Sequence, residues 1–246
     1  MQGVILAAGT GSRLKHMTES IPKAMVRVNG KHLLTYALAF AREVGCDEIV
    51  VVAGAHANQV VDLLSGLKLP KVSWVENSDY LIGNLYSLGA ARSVIKEDFL
   101  LMNTDHVYHR SIAEKVRSQC SDLVAFCDHD RDLGNDDMKV SLDADGRLHR
   151  ISKQLTEFDR GYVGMTYCPD RSLDAYFQAF DRVATEFGDR AMVEMVLGDL
   201  ALNGKRPAVG DISGVGWLEI DTPEEHAMAE SAVEKSPEDF LAVEKA

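Results

Sequence analysis

The chain has 246 residues, 46% of them hydrophobic, and a formal net charge of −12. A chain of this length can bury one large core, and sheet-based domains of this size are common as single units. Its acidic charge is spread along the sequence, whereas a nucleic-acid-binding protein needs a basic face to neutralise phosphates. The composition therefore predicts one domain and argues against a polynucleotide partner.

The cysteines and the apolar runs indicate a cytoplasmic protein. The four cysteines have no CxxC spacing and are too sparse for a disulfide framework, so reduced thiols are expected. The apolar run at residues 4–8 has no basic flank and is too short for a signal peptide. No later apolar run reaches the roughly 18 residues of a membrane helix. We expect no membrane insertion, and a homodimer is left open.

The first half of the chain alternates short β-rich runs with helical patterns. Strands are predicted at residues 3–7, 48–53, 72–75 and 99–102. Apolar residues at three- and four-residue intervals predict helices at 33–44, 56–64 and 85–95. This alternation predicts an α/β fold with a mixed, mostly parallel sheet and helices on both faces. Ligands of such sheets bind beyond the carboxyl ends of the strands.

The second half of the chain has a different pattern of predicted strands and helices. A hairpin is predicted from strands at 138–142 and 147–151, which the turn at 143–146 joins. Further strands are expected at 161–167 and 217–220, and helices at 171–187 and 191–203. The charged tail at 233–246 is predicted to be a frayed helix end.

A glycine-rich loop follows the first strand directly, in the run Leu6-Ala7-Ala8-Gly9-Thr10-Gly11-Ser12-Arg13-Leu14. Two glycines there let backbone N–H groups approach an anion closely. The loop is not GxxxxGK[ST] and lacks the third glycine of GxGxxG, so it is neither a P-loop nor a dinucleotide fingerprint. It is a candidate phosphate-binding loop.

Arg13 follows these glycines, and the pair Pro22-Lys23 comes about ten residues later. The combination resembles the nucleotidyltransferase superfamily, with its LAAGxGxRL loop and downstream PK. The resemblance implies a Rossmann-like, GT-A-like fold and a loop that wraps a nucleotide triphosphate. It also implies that Arg13 and Lys23 are catalytic cations, which stabilise charge on the α-phosphate and the departing pyrophosphate. The loop residues that it places on the nucleotide are Leu6, Ala7, Ala8, Gly9 and Gly11.

The run Gly83-Asn84-Leu85-Tyr86-Ser87-Leu88 opens the predicted helix at 85–95. One interpretation makes Asn84 the N-cap of that helix. The run also resembles the NxxSL element of bacterial choline-phosphate, aminoethylphosphonate and inositol-phosphate cytidylyltransferases. That resemblance implies that Asn84 and Ser87 contact the nucleotide.

Two aspartates end predicted strands. Asp105 follows the strand at 99–102, and Asp221 follows the strand at 217–220 and precedes a helix that opens Thr222-Pro223. Strand ends are where an open α/β sheet presents a ligand. Mg²⁺ prefers few carboxylates together with phosphate or water oxygens. Both positions also match the metal aspartates of the superfamily, so they are the predicted Mg²⁺ ligands.

The runs at 105–108 and 151–159 resemble the inositol-1-phosphate cytidylyltransferases, which are often fused to a membrane-bound transferase. The resemblance spans roughly residues 1–230, and no membrane segment follows here, so a freestanding enzyme is expected. Lys153 is the predicted cation for the acceptor phosphate, with Lys139 a second candidate and His106 a further one. The polar run 154–159 is expected to bind acceptor hydroxyls, while aromatic residues keep a choline acceptor open. The acidic loop at 128–137 departs from the family.

The resemblance implies Mg²⁺-dependent transfer of CMP from CTP to a small phosphorylated alcohol, with inositol 1-phosphate as first choice. Choline phosphate, a phosphonate and a sugar 1-phosphate are alternative acceptors, and UTP is the closest rival of CTP. A non-catalytic nucleotide-binding regulatory subunit is the alternative of a different class. Residues 1–232 are expected to form one domain, with nucleotide binding in about 1–110 and acceptor binding in about 111–232.

Overall fold

The computed structural model describes residues 1–244, which form a mixed sheet with helices on both faces. The strands lie at Gln2–Ala7 (β1), Arg27–Val28 (β2), Lys31–His32 (β3), Glu48–Ala53 (β4), Val72–Glu76 (β5), Phe99–Asn103 (β6), His106–Tyr108 (β7), Val124–Asp128 (β8), Lys139–Leu142 (β9), Leu148–Ser152 (β10), Arg160–Cys168 (β11), Ala208–Asp211 (β12) and Trp217–Glu219 (β13). The α-helices lie at Leu33–Val44 (α1), Ala57–Leu67 (α2), Leu85–Ala91 (α3), Ile112–Gln119 (α4), Leu173–Phe187 (α5), Glu194–Leu202 (α6) and Pro223–Lys235 (α7).

The main sheet has a parallel part and an antiparallel part. Strands β6, β1, β4 and β5 are parallel neighbours in that order. The long strand β11 then runs antiparallel to β6, β8 and β9, and β10 closes the hairpin with β9. The predicted α/β class, the mixed sheet and the hairpin are therefore confirmed.

Side chains of the central strands alternate between the two faces of the sheet, and helices cover both faces. In β1, Ile5 and Ala7 pack in the core with α1 and α2, whereas Val4 and Leu6 pack on the opposite face with α3 and α5. Successive side chains of a strand point to opposite faces, so a strand that is buried on both sides reads as a continuous apolar run. This is why the run at the N-terminus has no polar alternation.

Some predicted boundaries differ from the structure, and some elements were not predicted. The helix predicted at 85–95 ends at Ala91, and the strands β7, β8 and β12 were not predicted. Strand β7 has only three residues, and β12 reads AVGD, which has no β-rich run to mark it. Their pairing with β13 and β8 comes from the fold.

The tail is not a frayed end over its described part. Val233 is only 2% exposed in α7, and the 3₁₀ turn Pro237–Asp239 follows. The Val243 N–H donates to the Thr35 carbonyl at 3.1 Å, and the Arg110 N–H donates to the Asp239 carbonyl at 2.7 Å. The domain boundary predicted at residue 232 therefore falls inside α7, which packs against the rest of the fold. The last two residues of the predicted tail, 245–246, lie outside the described residues.

Residues 1–244 contain no helix that combines the length and the apolar character of a transmembrane span.

Candidate active site

Strands β1 and β6 end side by side, which brings the glycine-rich loop next to Asp105. Leu6 pairs with Asn103 in the parallel register of these strands. The Thr104 hydroxyl then donates to the Leu6 carbonyl at 3.1 Å and fixes the chain as it leaves β6. The carboxyl edge of the sheet therefore carries a candidate anion-binding loop and a carboxylate together, as expected for such a sheet.

A small two-stranded sheet brings Asp221 to the same place. In the antiparallel pair of β7 and β13, His106 lies opposite Glu219. The Ile220 N–H donates to the Asp105 carbonyl at 2.9 Å. The residue after Ile220 is Asp221, so both predicted carboxylates lie at one point although half of the chain separates them.

The Lys23 ammonium lies between these two carboxylates. Its Nζ is 2.8 Å from Asp105 Oδ2 and also hydrogen-bonds to Asp221 Oδ1, while the Arg13 guanidinium pairs with the other oxygen of Asp221. Lys23 is 9% exposed and Asp221 is 8% exposed. The four residues predicted as catalytic cations and metal ligands therefore form one connected cluster.

Burial and charge oppose each other in this cluster. Burial alone would lower the pKa of Lys23, but the Coulombic attraction of Asp105 and Asp221 outweighs it and raises the pKa. Burial would raise the pKa of Asp105, yet the charges of Lys23 and His106 hold it well below its usual range. The pKa of His106 is raised in spite of burial because of Asp105. Asp105 and Lys23 are therefore both charged at neutral pH.

The glycine-rich loop approaches Lys23 closely. Gly11 has a φ of +72°, and a Cβ there would lie 3.0 Å from the Lys23 Cβ, so both its backbone angle and its neighbour call for glycine. The Lys23 N–H donates to the Gly9 carbonyl at 3.3 Å. Among residues 1–244, no acceptor takes a hydrogen bond from the backbone N–H of Gly9, Thr10 or Gly11. These donors are available to an anion.

The other predicted loop residues are placed differently from the glycines. Leu6, Ala7 and Ala8 have buried side chains, and the Ala8 carbonyl already accepts from the Ala55 N–H at 3.1 Å. Any contact of these three residues with a ligand would therefore be made by their backbone. The side chain of Arg13, which is half exposed, lines the cavity described next.

Asn84 lines this cavity, whereas Ser87 does not. Asn84 occupies the N-cap position of α3, as one interpretation had it, but its backbone is helical and its side chain makes no capping hydrogen bond to this helix. Instead its Oδ1 accepts from the Val193 N–H at 2.8 Å, just before α6. Ser87 is buried and accepts from the Asn77 side-chain amide at 3.1 Å. Asn84 and Ser87, at the start of α3, therefore each form a hydrogen bond with another segment of the chain.

The cavity extends from the cluster to Lys153. Arg13, Asp105 and Asp221 line it together with Lys153. No carboxylate among residues 1–244 lies within ion-pair distance of the Lys153 ammonium, and no hydrogen bond from this ammonium is formed there. His106 also lines the cavity, but its ring is packed against Trp217 at 4.8 Å between centroids and its Nδ1 is 2.6 Å from Asp105 Oδ1, out of line for a hydrogen bond. Lys153 is thus a cation that faces the cavity without an ion pair or hydrogen bond among the described residues, although its charge acts on Glu194.

Lys139 does not line the cavity. Its ammonium is buried and donates to the carbonyls of Gly134 at 2.6 Å and Lys153 at 3.2 Å. The polar residues predicted to bind acceptor hydroxyls also lie elsewhere, on a separate depression next to the hairpin. The residues that follow β10, which ends at Ser152, therefore lie on a different surface from the one predicted. The residues concerned are Gln154, Thr156, Glu157 and Asp159.

The cavity has further walls that sequence reasoning missed. Trp217 and Glu219 share the face of β13 that leads to Asp221, and the alternation of side chains along a strand could have indicated both. Glu194, in the first turn of α6, lines the cavity at 8% exposure, and its Oε2 has no hydrogen-bond partner. Burial raises the pKa of Glu194. No local pattern marks this glutamate.

The carboxylates suit a divalent cation that is shared with a phosphate ligand. Residues 1–244 contain no group of three or more histidine, cysteine, aspartate or glutamate side chains arranged around a metal position. Asp105 and Asp221 nevertheless converge on one cation, the Lys23 ammonium, and Asp105 Oδ1 is buried without a hydrogen-bond donor. Two carboxylates with ligand and water oxygens are a donor set that Mg²⁺ accepts.

A mixed sheet with free loop amides, two cations and two carboxylates at its carboxyl edge is the arrangement of a nucleotidyltransferase. The chain belongs to the family of MobA-like NTP transferase domains, which matches residues 3–161. Its relatives include the bifunctional IPC transferase and DIPP synthase of Aquifex aeolicus, 29% identical over 95% of this chain and 52% of that protein.

Two further proteins are similar to this chain. The CMP-5'-(3-aminopropyl)phosphonate synthase of Streptomyces rubellomurinus is 28% identical over 94% of this chain and 38% of that protein. The solved inositol-1-phosphate CTP transferase from T. maritima has the same fold, with a TM-score of 0.80, 20% identity and coverage of 95% of this chain and 96% of that one. This chain spans about half the length of the Aquifex relative, 52%.

Proposed function

We propose that the chain transfers CMP from CTP to a phosphorylated alcohol and releases pyrophosphate. The observation that supports this most directly is the convergence of Lys23, Arg13, Asp105 and Asp221 beside free loop amides, next to a cavity that Lys153 also lines. Residues of the first 110 positions would hold the nucleotide, and residues of the second half would hold the acceptor. One cavity would then contain both reacting phosphates.

In the proposed reaction an acceptor phosphate oxygen forms a bond to the α-phosphorus of CTP as the bond to pyrophosphate breaks. A phosphate monoester is already anionic near pH 7, since its second pKa is about 6, so no general base is needed. The work of the protein is to hold two repelling anions in line and to stabilise the charge that develops. Lys23, Arg13 and the loop amides are placed for this task.

A divalent metal ion is general in this family. We infer Mg²⁺ here, held by Asp105 and Asp221, and when bound it would supply positive charge to the phosphates of the nucleotide. His106 would keep Asp105 in place, because its ring is fixed between that carboxylate and Trp217. Lys23 would leave its bridging position in part and turn to the nucleotide.

For the acceptor, inositol 1-phosphate is our first choice. The unpaired Lys153 ammonium offers a site for a phosphate, and carboxylates around the remaining cavity offer acceptors for hydroxyl groups. The names of two relatives refer to IPC and to inositol 1-phosphate. An aminoalkyl phosphonate is the second candidate, because the name of the Streptomyces relative is that of a synthase of a CMP-linked aminopropyl phosphonate. Tyr162 and Trp217 are the aromatic residues in the cavity wall that a choline acceptor would use.

The proposal is tested by a panel of four nucleoside triphosphates against inositol 1-phosphate, aminoethylphosphonate, choline phosphate and glucose 1-phosphate. We expect pyrophosphate release to be fastest with CTP and inositol 1-phosphate, with a lower kcat/KM for purine nucleotides. Equal kcat/KM for CTP and GTP would contradict the cytidine assignment. Absence of release with every pair, together with retained CTP binding, would favour the non-catalytic regulatory subunit.

Lys153→Ala is expected to raise the KM for the acceptor by about 10- to 100-fold, because a charge-assisted hydrogen bond to the phosphate is lost. The KM for CTP should change less than about twofold, since the glycines of the loop, Gly9 and Gly11, do not line the cavity that Lys153 faces. Lys205→Ala is a matched control, as Lys205 is an exposed lysine outside the cavity. Steady-state kinetics with each substrate varied in turn would measure both constants. An effect on CTP alone would show that Lys153 binds the nucleotide.

A further inference from the structure

The acidic loop at 128–137 forms one wall of the cavity. It joins β8 to β9 and contributes Leu133, Asp136 and Asp137 to the lining. Asp136 and Asp137 face a cavity that also holds Glu194, whose Oε2 is buried without a hydrogen-bond donor. The cavity therefore presents carboxylate oxygens to a ligand as well as the cations Arg13 and Lys153, and the charge of Lys153 acts on Glu194.

Arg131 fastens the acidic loop to the strand that leads to Asp221. Its guanidinium lies over the Trp217 ring at 4.5 Å, and its NH2 is 3.1 Å from Glu219 Oε2. Trp217 in turn packs against the His106 ring, with 4.8 Å between centroids. A planar guanidinium can stack on an aromatic ring and pair with a carboxylate at once, which a lysine cannot do equally well.

A second attachment joins the loop to the segment that bears Lys153. The Lys139 ammonium donates to the Gly134 carbonyl at 2.6 Å and to the Lys153 carbonyl at 3.2 Å. Leu133 packs on Gly161, where an added Cβ would lie 2.8 Å from the leucine Cδ2. The acidic loop and the acceptor-side lysine are thus held by the same buried cation, which explains why Lys139 points away from the cavity.

We propose that the acidic loop binds the part of the acceptor that lies away from its phosphate and so selects between acceptors. Arg131 is the residue that positions this loop. The inference rests on the proposed function. Asp136, together with Glu194, would accept hydrogen bonds from donors on the acceptor, either hydroxyl groups of a polyol or the ammonium of an aminoalkyl phosphonate. An acceptor that ends in methyl groups would leave the buried Glu194 oxygen unpaired, and such a mismatch is penalised strongly.

The positioning role is tested with Arg131→Met. We expect the KM for the acceptor to rise by about tenfold or more, with the KM for CTP within about twofold, because the loop wall loses its attachment while the nucleotide loop is untouched. Arg131→Lys should recover part of the effect, since it keeps the charge and loses the planar stack. Arg92→Met is the matched control: Arg92 also stacks on a ring, Phe177 at 4.9 Å, and pairs with Asp181 at 2.6 Å, but lies outside the cavity.

A readout without turnover accompanies the kinetics. The chain has two tryptophans, so Trp74→Phe leaves Trp217 as the only fluorophore of this type. In that background Arg131→Met should shift the Trp217 emission to longer wavelength, because its ring loses the guanidinium cover. Arg92→Met should not. Unchanged emission together with an unchanged acceptor KM would overturn the proposal.

The kind of acceptor group that the loop binds is tested with Asp136→Ala on two acceptors. A kcat/KM loss of about 10- to 100-fold for aminoethylphosphonate, with a smaller loss for inositol 1-phosphate, would assign an ammonium to the loop; a larger loss for inositol 1-phosphate would assign a hydroxyl. Asp132→Ala, in the same loop but outside the cavity lining, is the control and should have neither effect. Equal rates for wild type and Asp136→Ala on both acceptors would overturn the loop assignment alone. A wild type without turnover on any acceptor would overturn the proposed function as well.

Discussion

Replacement of Lys23 by methionine is expected to lower kcat by about 10²- to 10³-fold, the scale found when one preorganised donor to developing charge is removed. Methionine keeps most of the buried side-chain volume and removes only the ammonium. The KM for CTP should rise less than kcat falls, because the interaction is expected to be strongest in the transition state. Stopped-flow or steady-state measurement of pyrophosphate release gives both constants. A kcat within about tenfold of wild type would show that Lys23 is not catalytic.

The same variant should be less stable, which gives a second readout. Loss of the ammonium leaves Asp105 and Asp221 as neighbouring carboxylates without their shared cation, and breaking a buried ion pair such as Lys23–Asp221 costs about 3 to 5 kcal/mol. Addition of Mg²⁺ is therefore expected to raise the Tm of Lys23→Met more than that of wild type. Lys31→Met is the control, because Lys31 pairs with Glu244 at 2.7 Å on the surface. An equal Mg²⁺ response in both variants and wild type would contradict the metal assignment.

Asp105→Asn and Asp221→Asn are each expected to lower turnover by about 10²- to 10³-fold at saturating Mg²⁺. The metal contributes several kcal/mol of charge stabilisation, and each 1.4 kcal/mol is about a factor of ten in rate. Asparagine keeps the size and the hydrogen-bonding oxygen while removing the charge, so circular dichroism should be unchanged. Near-normal activity of either variant would refute the assignment of that residue as a ligand.

The double variant distinguishes a shared site from two separate ones. If Asp105 and Asp221 hold one ion, the loss in Asp105→Asn/Asp221→Asn should be close to that of either single variant, because the residues act as a unit. Two independent roles would instead multiply the two losses. Asp181→Asn, which affects a surface pair with Arg92, serves as the control and should retain wild-type turnover.

Local patterns in the sequence were sufficient for the parallel half of the sheet. The helix α1 was predicted with the bounds that it has, and β1, β4 and β6 differ from their predicted ranges by one residue at most at each end. These elements are long or fully buried, so their apolar periodicity is strong. The glycine-rich loop and the pair Pro22-Lys23 were equally visible, because both lie within a short stretch of chain and match a known order of residues.

The order and the periodicity of the residues were thus enough to predict the family, the central strands and the residue types that a nucleotidyltransferase needs. Which of these residues meet depends on the tertiary fold: the pairing of β7 with β13 puts Asp221 beside Asp105, and Lys23 enters between them. The fold also determines that Lys139 holds backbone carbonyls, that Glu194 is a cavity wall and that Arg131 fastens the acidic loop. The physical reason is that contacts between distant segments depend on strand register and packing, which local periodicity does not encode.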